Sequence, residues 1–167
     1  MLKPGGHSTG PGIRIRPLAD ILADHPRFSR PRIIKSDTDG SDFDIMLSSL
    51  DTIGKHKPVL YFEYDPTLRA GGCAAGLRLI SELNKAGYQY FLVYDNFGHL
   101  MDVVIGDATG RFTDLNRYIM SHEIFGRQIY YLDICACTPQ DEDVAKMLYA
   151  GQNHLIDTAV ARRPDPV

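Results

Sequence analysis

Cysteine is scarce in this 167-residue sequence, since Cys73, Cys135 and Cys137 make an odd number and form no C-x-x-C pair. The beginning of the chain also lacks the apolar run of a secretory signal. Together these two absences indicate a reducing, cytoplasmic location. Cys135 and Cys137 lie two residues apart in an apolar strand pattern, so they could share a metal. We favour the interpretation that both are buried small hydrophobic side chains.

Long apolar runs and an excess of one charge are absent as well. No segment approaches the ~20 apolar residues that a bilayer-spanning helix needs, which excludes a membrane protein. The formal net charge is -3 and the pI about 6.0, so there is no electrostatic reason to expect nucleic acid as a partner. The six histidines show no zinc-binding spacing. These absences argue against nucleic acid, a membrane and zinc as partners.

Helical and strand patterns alternate along most of the chain, and its length fits a single domain. We predict a disordered lead-in over residues 1–12, a domain over 13–160 and a tail over 161–167. Strands are predicted by short apolar runs, at Ile13–Arg16, Arg32–Ser36, Val59–Tyr64, Tyr90–Tyr94, Leu100–Ile105 and Gln128–Cys135. Helices are predicted by apolar residues at helical spacing, at Pro17 to before Pro26, Ser41–Ile53, Cys73–Ala86, Ala108–Ser121 and from Thr138 onward.

This alternation predicts an open, mostly parallel α/β sheet with helices on both faces. In such sheets, ligands bind beyond the carboxyl ends of the strands. The rule selects three loops, 37–41, 63–66 and 95–98. In the last helix we expect Val144, Met147, Leu148 and Leu155 to face inward.

The strongest local feature is the acidic turn Lys35-Ser-Asp37-Thr-Asp39-Gly40. Two acidic side chains two residues apart can ligate a cation, act as nucleophile and general acid, or accept hydrogen bonds from a ligand. The spacing does not fit a calcium loop. It resembles the first motif of haloacid-dehalogenase-type phosphatases, with Asp37 as nucleophile and Asp39 as acid, but the later motifs of that family are not found. For Asp39 we favour a helix-capping role together with Ser41, and Ser41 with Asp44 resembles a capping box.

Glu63 interrupts the apolar strand Val59–Tyr64 near its carboxyl end. A carboxylate buried there is costly unless it is paired or functional. It could form an ion pair with Lys35 on the neighbouring strand, and the two interpretations can coexist. His99 could act as a base for a substrate hydroxyl, although we favour a surface position on a hairpin.

Taken together and in order, several motifs resemble the FkbM family of methyltransferases. They are Lys35–Gly40, Tyr61–Pro66, Phe91–Gly98 and Asp133–Ala136. The resemblance extends from about Ile13 to Leu148. It implies an S-adenosylmethionine-dependent O-methyltransferase that acts on a small-molecule or sugar hydroxyl, on a Rossmann-like class I sheet.

The resemblance also implies roles for four residues. Asp37 and Glu63 would border the methyl group and the acceptor as catalytic residues, and Asp37 would in addition contact the cofactor. Tyr64 and Asn96 would contact the substrate. The reaction is a direct displacement in which the protein mainly positions donor and acceptor, with a base assisting the loss of the proton.

One part of the family pattern has no counterpart in the sequence. The family's domain normally opens with a strand and a glycine-rich loop that holds the cofactor, and only residues 1–12 precede Ile13. We therefore expect the C-terminal portion of the domain, with a sheet incomplete on the cofactor-loop side. Binding of S-adenosylmethionine should be weak or absent, and the exposed sheet edge should favour a homo-oligomer. The alternatives are a non-catalytic binding or assembly module, a truncated fragment, and the phosphatase.

Overall fold

The computed structural model describes residues 16–121 and 129–161. The predicted lead-in, residues 13–15 of the first predicted strand, and the tail from residue 162 lie outside this part. The strands are β1 (Ile33–Ser36), β2 (Val59–Tyr64), β3 (Tyr90–Asp95), β4 (Leu100–Ile105) and β5 (Leu132–Cys137). The α-helices are α1 (Leu18–Asp24), α2 (Asp42–Ser48), α3 (Leu50–His56), α4 (Gly72–Lys85), α5 (Thr109–Met120) and α6 (Glu142–Ala161). No helix in this part is long and apolar enough to cross a membrane.

The five strands form one mixed sheet in the order β1-β2-β5-β3-β4. Only the β1–β2 pairing is parallel, since β5 runs antiparallel to both of its neighbours and β3 with β4 forms a hairpin. The α/β class is confirmed, but the expectation of a mostly parallel sheet is wrong. A strand buried on both faces has the same continuous apolar pattern in either direction, so the pattern of β5 does not reveal its orientation.

One face of the sheet carries the larger core. Alternate residues of the central strands point to this face and pack against α2, α4 and α5; they include Leu60, Phe62, Tyr64, Phe91, Val93 and Ile134. The ring of Tyr64 lies 5.0 Å from that of Phe43 on α2 and 5.1 Å from that of Phe112 on α5. These aromatic contacts join two helices to the middle of the sheet.

The other face of the sheet is only partly covered. Cys135 and Cys137 are buried there with Leu92, and α6 covers them through Ala145. The prediction that both cysteines are small core residues is therefore confirmed. Val144 and Leu148 also pack on this cluster, but Met147 and Leu155 are exposed, so the predicted inward face of α6 is only half correct. This helix covers the carboxyl end of β5 and leaves the opposite end of the face open.

Several predicted boundaries shift in the structure. The predicted helix Ser41–Ile53 is two helices that meet at Ser49, and Ser41 forms no side-chain capping hydrogen bond. The capping box is therefore wrong, because Asp44 instead accepts a hydrogen bond from Arg69 at 2.6 Å. Strand β5 begins at Leu132 and continues to Cys137. Thr138 does not cap either, and a 3-10 turn at Pro139–Asp141 precedes α6.

Candidate active site

The parallel pairing of β1 with β2 brings two of the selected loops together. Ser36 pairs with Phe62, so Asp37, the first residue after β1, lies beside Glu63, the next-to-last residue of β2. Asp65 follows β2 in the same corner. A shallow surface depression here, with no enclosed space for even a water molecule, is lined by Gly40, Asp42, Phe43, Glu63 and Asp65. We call this the acidic pocket.

Asp42 organises the turn between β1 and α2. Its carboxylate is buried and accepts hydrogen bonds from the Ser36 hydroxyl at 2.6 Å, the Thr38 hydroxyl at 3.0 Å and the Thr38 amide at 3.3 Å. The capping role predicted for Asp39 is wrong. Asp39 has a φ of 48°, a left-handed conformation that Asp tolerates better than most residues, and it lies outside the helix start. One local signal could have pointed to Asp42, namely the hydroxyl side chains of Ser36 and Thr38 just before it.

Asp37 lies at the mouth of the acidic pocket with its side chain half exposed. It accepts a hydrogen bond from Lys35 Nζ at 2.8 Å. The expected ion pair between Lys35 and Glu63 is therefore wrong. Lys35 and Asp37 are two residues apart and point to the same face of the sheet, which makes their contact shorter than one across to β2.

Glu63 is the buried carboxylate of the pocket, with 6% of the residue exposed. Within the described ranges, no side-chain hydrogen bond to Glu63 is found, and its oxygens are not among the fully buried atoms that lack a partner. Burial, followed by the negative charges of Asp42, Asp65, Asp37 and Asp39 in that order, raises the pKa of Glu63 to about 7. A carboxyl group in this state can exchange a proton near neutral pH.

Tyr64 points to the opposite face of β2 from Glu63. It is fully buried, and its hydroxyl donates a hydrogen bond to Asn116 Oδ1 at 3.0 Å. Burial raises the pKa of this hydroxyl well above its ordinary value. Tyr64 is therefore not part of the pocket lining and supports the pocket from the core through its contact with Phe43.

Asn96 belongs to the turn between β3 and β4, which Asp95 holds in place. Asp95 accepts hydrogen bonds from the Phe97 amide at 2.9 Å and the His99 amide at 2.8 Å. The His99 ring is mostly exposed and lies 3.3 Å from Asp95, in agreement with a surface position on the hairpin. Asn96 Oδ1 is buried without a partner among the described residues, and Asn96 does not line the acidic pocket.

The open part of the sheet next to Asp37 carries polar residues that the motifs did not single out as site residues. Asp133 on β5 is in register with Glu63, and burial followed by the charge of Asp37 raises its pKa. The rings of Tyr61 and Tyr94 lie 6.5 Å apart on the same face. If the antiparallel register of β5 had been known, the alternation of side chains along this strand would have placed Asp133 on the same face as Tyr61 and Tyr94.

No three His, Cys, Asp or Glu side chains in the described part converge as metal ligands do. The described carboxylates of this corner thus act as separate groups around one small opening. Their arrangement suits proton acceptance and the binding of hydrogen-bond donors or cations.

Comparison with known proteins identifies the family. The profile of the methyltransferase FkbM domain matches residues 5–90, just over half of the chain. The matched stretch contains Asp37, Glu63 and the whole acidic pocket, and it ends before the turn with Asn96. No curated protein and no solved structure matches the chain. Because this profile covers more than half of the sequence, the chain belongs to the FkbM family of methyltransferases.

Proposed function

We propose that the protein transfers a methyl group from S-adenosylmethionine to a hydroxyl of a small molecule or sugar, and that the acidic pocket is where the acceptor binds. One observation carries this proposal. Asp37 directly follows β1, and Glu63 is the next-to-last residue of the adjacent parallel strand β2, within the stretch that matches a methyltransferase family. This is the edge at which open α/β sheets bind their ligands.

The carboxylates of this corner suit the positive charge of S-adenosylmethionine, but the acidic pocket is too small for the whole cofactor. S-adenosylmethionine carries a sulfonium and an ammonium, and the exposed carboxylate of Asp37 would contact this cationic part. The acidic pocket is a surface depression with no enclosed space for even a water molecule, whereas typical ligand clefts hold roughly 300–1,000 Å³, so it does not enclose a nucleoside. When bound, the cofactor supplies an electrophilic methyl group.

The two carboxylates suit two different tasks. Asp37 is exposed beside Lys35 and would accept the hydroxyl proton as the new O–C bond forms. Glu63 is buried and lacks a hydrogen-bond donor among the described groups, so it would hold a donor group of the acceptor. The acceptor hydroxyl would lose its proton to Asp37 as its oxygen takes up the methyl group that a bound cofactor would supply.

An activity assay tests the roles of Asp37 and Glu63. It measures the release of S-adenosylhomocysteine at millimolar S-adenosylmethionine with a panel of hydroxylated sugars. Asp37→Asn should lower kcat by about ten-fold or more, which is on the order of 1.4 kcal/mol of barrier, with an unchanged melting temperature. Glu63→Gln should mainly raise KM for the acceptor. Glu82→Gln, on the exposed side of α4, is the matched control and should leave both constants unchanged. Equal kcat in Asp37→Asn and the unaltered protein would contradict the proposal.

Phosphatase activity is the competing outcome. Metal-dependent hydrolysis of p-nitrophenyl phosphate that Asp37→Asn abolishes would show that the protein carries out the haloacid-dehalogenase type of reaction instead of methyl transfer.

Calorimetry measures the binding of S-adenosylmethionine in a separate experiment. Because the pocket is small, we expect S-adenosylmethionine to bind weakly, and a dissociation constant in the low micromolar range would show that a further part of the chain contributes to its site.

A further inference from the structure

Positive charge is concentrated in the segment that joins α1 to β1. Residues 25–36 contain Arg27, Arg30, Arg32 and Lys35 and no acidic residue, although the whole chain has a formal net charge of -3. The segment includes a 3-10 turn at Pro26–Phe28. We call residues 25–33 the basic turn. Its charge is opposite in sign to that of the whole chain, so it forms a local basic patch on an acidic protein.

Two of these four basic residues are not neutralised. Arg32 and Lys35 each form an ion pair with a carboxylate, at 2.7 and 2.8 Å. Arg27 and Arg30 are exposed, and neither side chain has a hydrogen-bonding or ion-pair partner among the residues that the structure describes. Uncompensated positive charges this close in sequence attract an anionic partner.

Large apolar side chains are exposed beside these arginines. Phe28 is 66% exposed, Ile33 67% and Ile21 39%. All three line one open groove of about 440 Å³ between α1, the basic turn and β1, so they belong to one continuous surface. Apolar patches with a polar rim mark interaction sites. The partner of this surface therefore has to offer both negative charge and apolar contact.

We propose that the basic turn docks the protein on an anionic lipid surface, with Arg27 and Arg30 at the lipid phosphates and Phe28 inserted between the head groups. The two arginines flank Phe28 in the sequence, so charged and apolar groups meet the partner at the same place. A bilayer interface supplies phosphates and hydrocarbon together, and basic residues with an aromatic side chain bind it. An acidic protein segment would supply the charge without a hydrocarbon layer.

The acidic remainder of the chain does not prevent this contact. Electrostatic attraction to a lipid surface decays within about one Debye length, roughly 8–10 Å at physiological ionic strength, so the nearest charges dominate. The expectation that the protein has no membrane partner rests on whole-chain hydropathy and net charge, which do not report on a patch of this size. The contact is peripheral, in agreement with the absence of a membrane-spanning helix from the described part.

A single fluorescent reporter tests the insertion of the basic turn. The chain contains no tryptophan, so Phe28→Trp introduces one indole at this position. Vesicles of phosphatidylglycerol and phosphatidylcholine in equal amounts should shift its emission to shorter wavelength, because the indole leaves water, and brominated acyl chains should quench it. Phe97→Trp, at a position that is 60% exposed in the turn between β3 and β4, is the matched control and should show neither change. Unchanged emission of Phe28→Trp on addition of vesicles would overturn the inference.

Co-sedimentation with the same vesicles tests the charges. Arg27→Gln combined with Arg30→Gln should weaken binding by about ten-fold or more. Arg78→Gln combined with Arg117→Gln removes the same net charge from exposed positions on α4 and α5 and should leave binding unchanged. Phosphatidylcholine vesicles should bind the unaltered protein far more weakly, and equal binding to the two kinds of vesicle would overturn the inference. So would loss of self-association in the Arg27 and Arg30 variant with unchanged vesicle binding, which would assign the turn to an interface between copies.

Discussion

Glu63 stores electrostatic strain in the folded protein. Its carboxyl group is buried at the end of β2 and faces the carboxylates of Asp37, Asp39, Asp42 and Asp65. Folding therefore favours its protonated form. A pKa that is raised in the folded state contributes stability that is complete below the ordinary pKa of 4.5 and is lost as the pH rises through about 7.

The first prediction follows from this pKa. Glu63→Gln imitates the protonated side chain, so the variant and the unaltered protein should be equally stable at pH 4. At pH 8 the variant should be more stable by about 1 kcal/mol, because Gln carries no charge to bury and solvent screens part of the charge of Glu63. Urea unfolding at the two pH values measures this difference. Glu82→Gln should show the opposite sign at pH 8, since Lys85 lowers the pKa of Glu82; a stability gain there would mean that the Glu63 result is not site-specific.

The second prediction separates the two acidic residues of the β1–α2 turn. Asp42→Ala leaves the hydroxyls of Ser36 and Thr38 without their acceptor and should cost about 2 kcal/mol of unfolding free energy. Asp39→Gly should be neutral or stabilising by up to about 1 kcal/mol, because Gly adopts a positive φ without strain. The midpoints of denaturant-induced unfolding measure the stability of the two variants. A larger loss of stability in Asp39→Gly than in Asp42→Ala would show that Asp39 does cap the helix.

At the scale of elements, one glycine sets how closely α4 approaches the sheet. A Cβ atom at Gly76 would lie 2.5 Å from the hydroxyl oxygen of Tyr64 and 2.6 Å from its Cζ. Tyr64 has little room to move, because it is fully buried between Phe43 and Phe112. The small residue at position 76 thus allows α4 to pack directly on β2, behind the acidic pocket.

The third prediction uses Gly54 of α3 as the matched control. Gly76→Ala gains about 1 kcal/mol of helix propensity but overpacks the core, so we expect a net loss of about 2 kcal/mol. Gly54→Ala has open space around its new Cβ atom and should be stabilised by up to about 1 kcal/mol. Thermal unfolding of both variants measures the contrast. Equal effects would mean that α4 shifts away from β2 at little cost.

Sequence patterns predicted the elements well where the signal is local. The apolar run of β2 and the turn signal between β3 and β4 gave those strands to within one residue. The direction of β5 depends on its neighbours in space, and the break at Ser49 occurs within an apolar pattern that continues across it. In the site, the strand-end rule selected Asp37 and Glu63. It did not distinguish Asp39 from Asp42, because the backbone conformation at residue 39 decides which carboxylate turns inward.

At the scale of the whole molecule, the described sheet has two outer strands, β1 and β4. An apolar groove of about 440 Å³ runs beside β1, and its lining includes Leu18, Ile21, Phe28 and Ile33. Strand β4 exposes Met101 and Ile105 but also carries Asp102, which forms an ion pair with Arg111 at 2.8 Å. Charged edges resist pairing with another chain, whereas apolar edges favour it.

The fourth prediction concerns self-association, and we propose that it occurs through β1. Sedimentation velocity should show a monomer–dimer equilibrium at micromolar concentrations. Ile33→Lys places a charge on the exposed β1 edge and should shift this equilibrium toward the monomer by about ten-fold or more. Ile105→Lys changes an equally exposed residue of β4 and should leave the equilibrium unchanged. A monomer at all concentrations, or an equal effect of the two substitutions, would contradict association through β1.

The central position of β5 also bears on how the protein is made. Among the described strands β5 is the last in sequence, yet it separates β2 from β3 and hydrogen-bonds to both. A nascent chain that has released β1 to β4 from the ribosome still has the facing edges of β2 and β3 unpaired. The sheet closes only after Leu132–Cys137 emerges, so its central pairings form later in synthesis than the β1–β2 and β3–β4 pairings. Chaperones that shield apolar strands should therefore engage the chain late in synthesis.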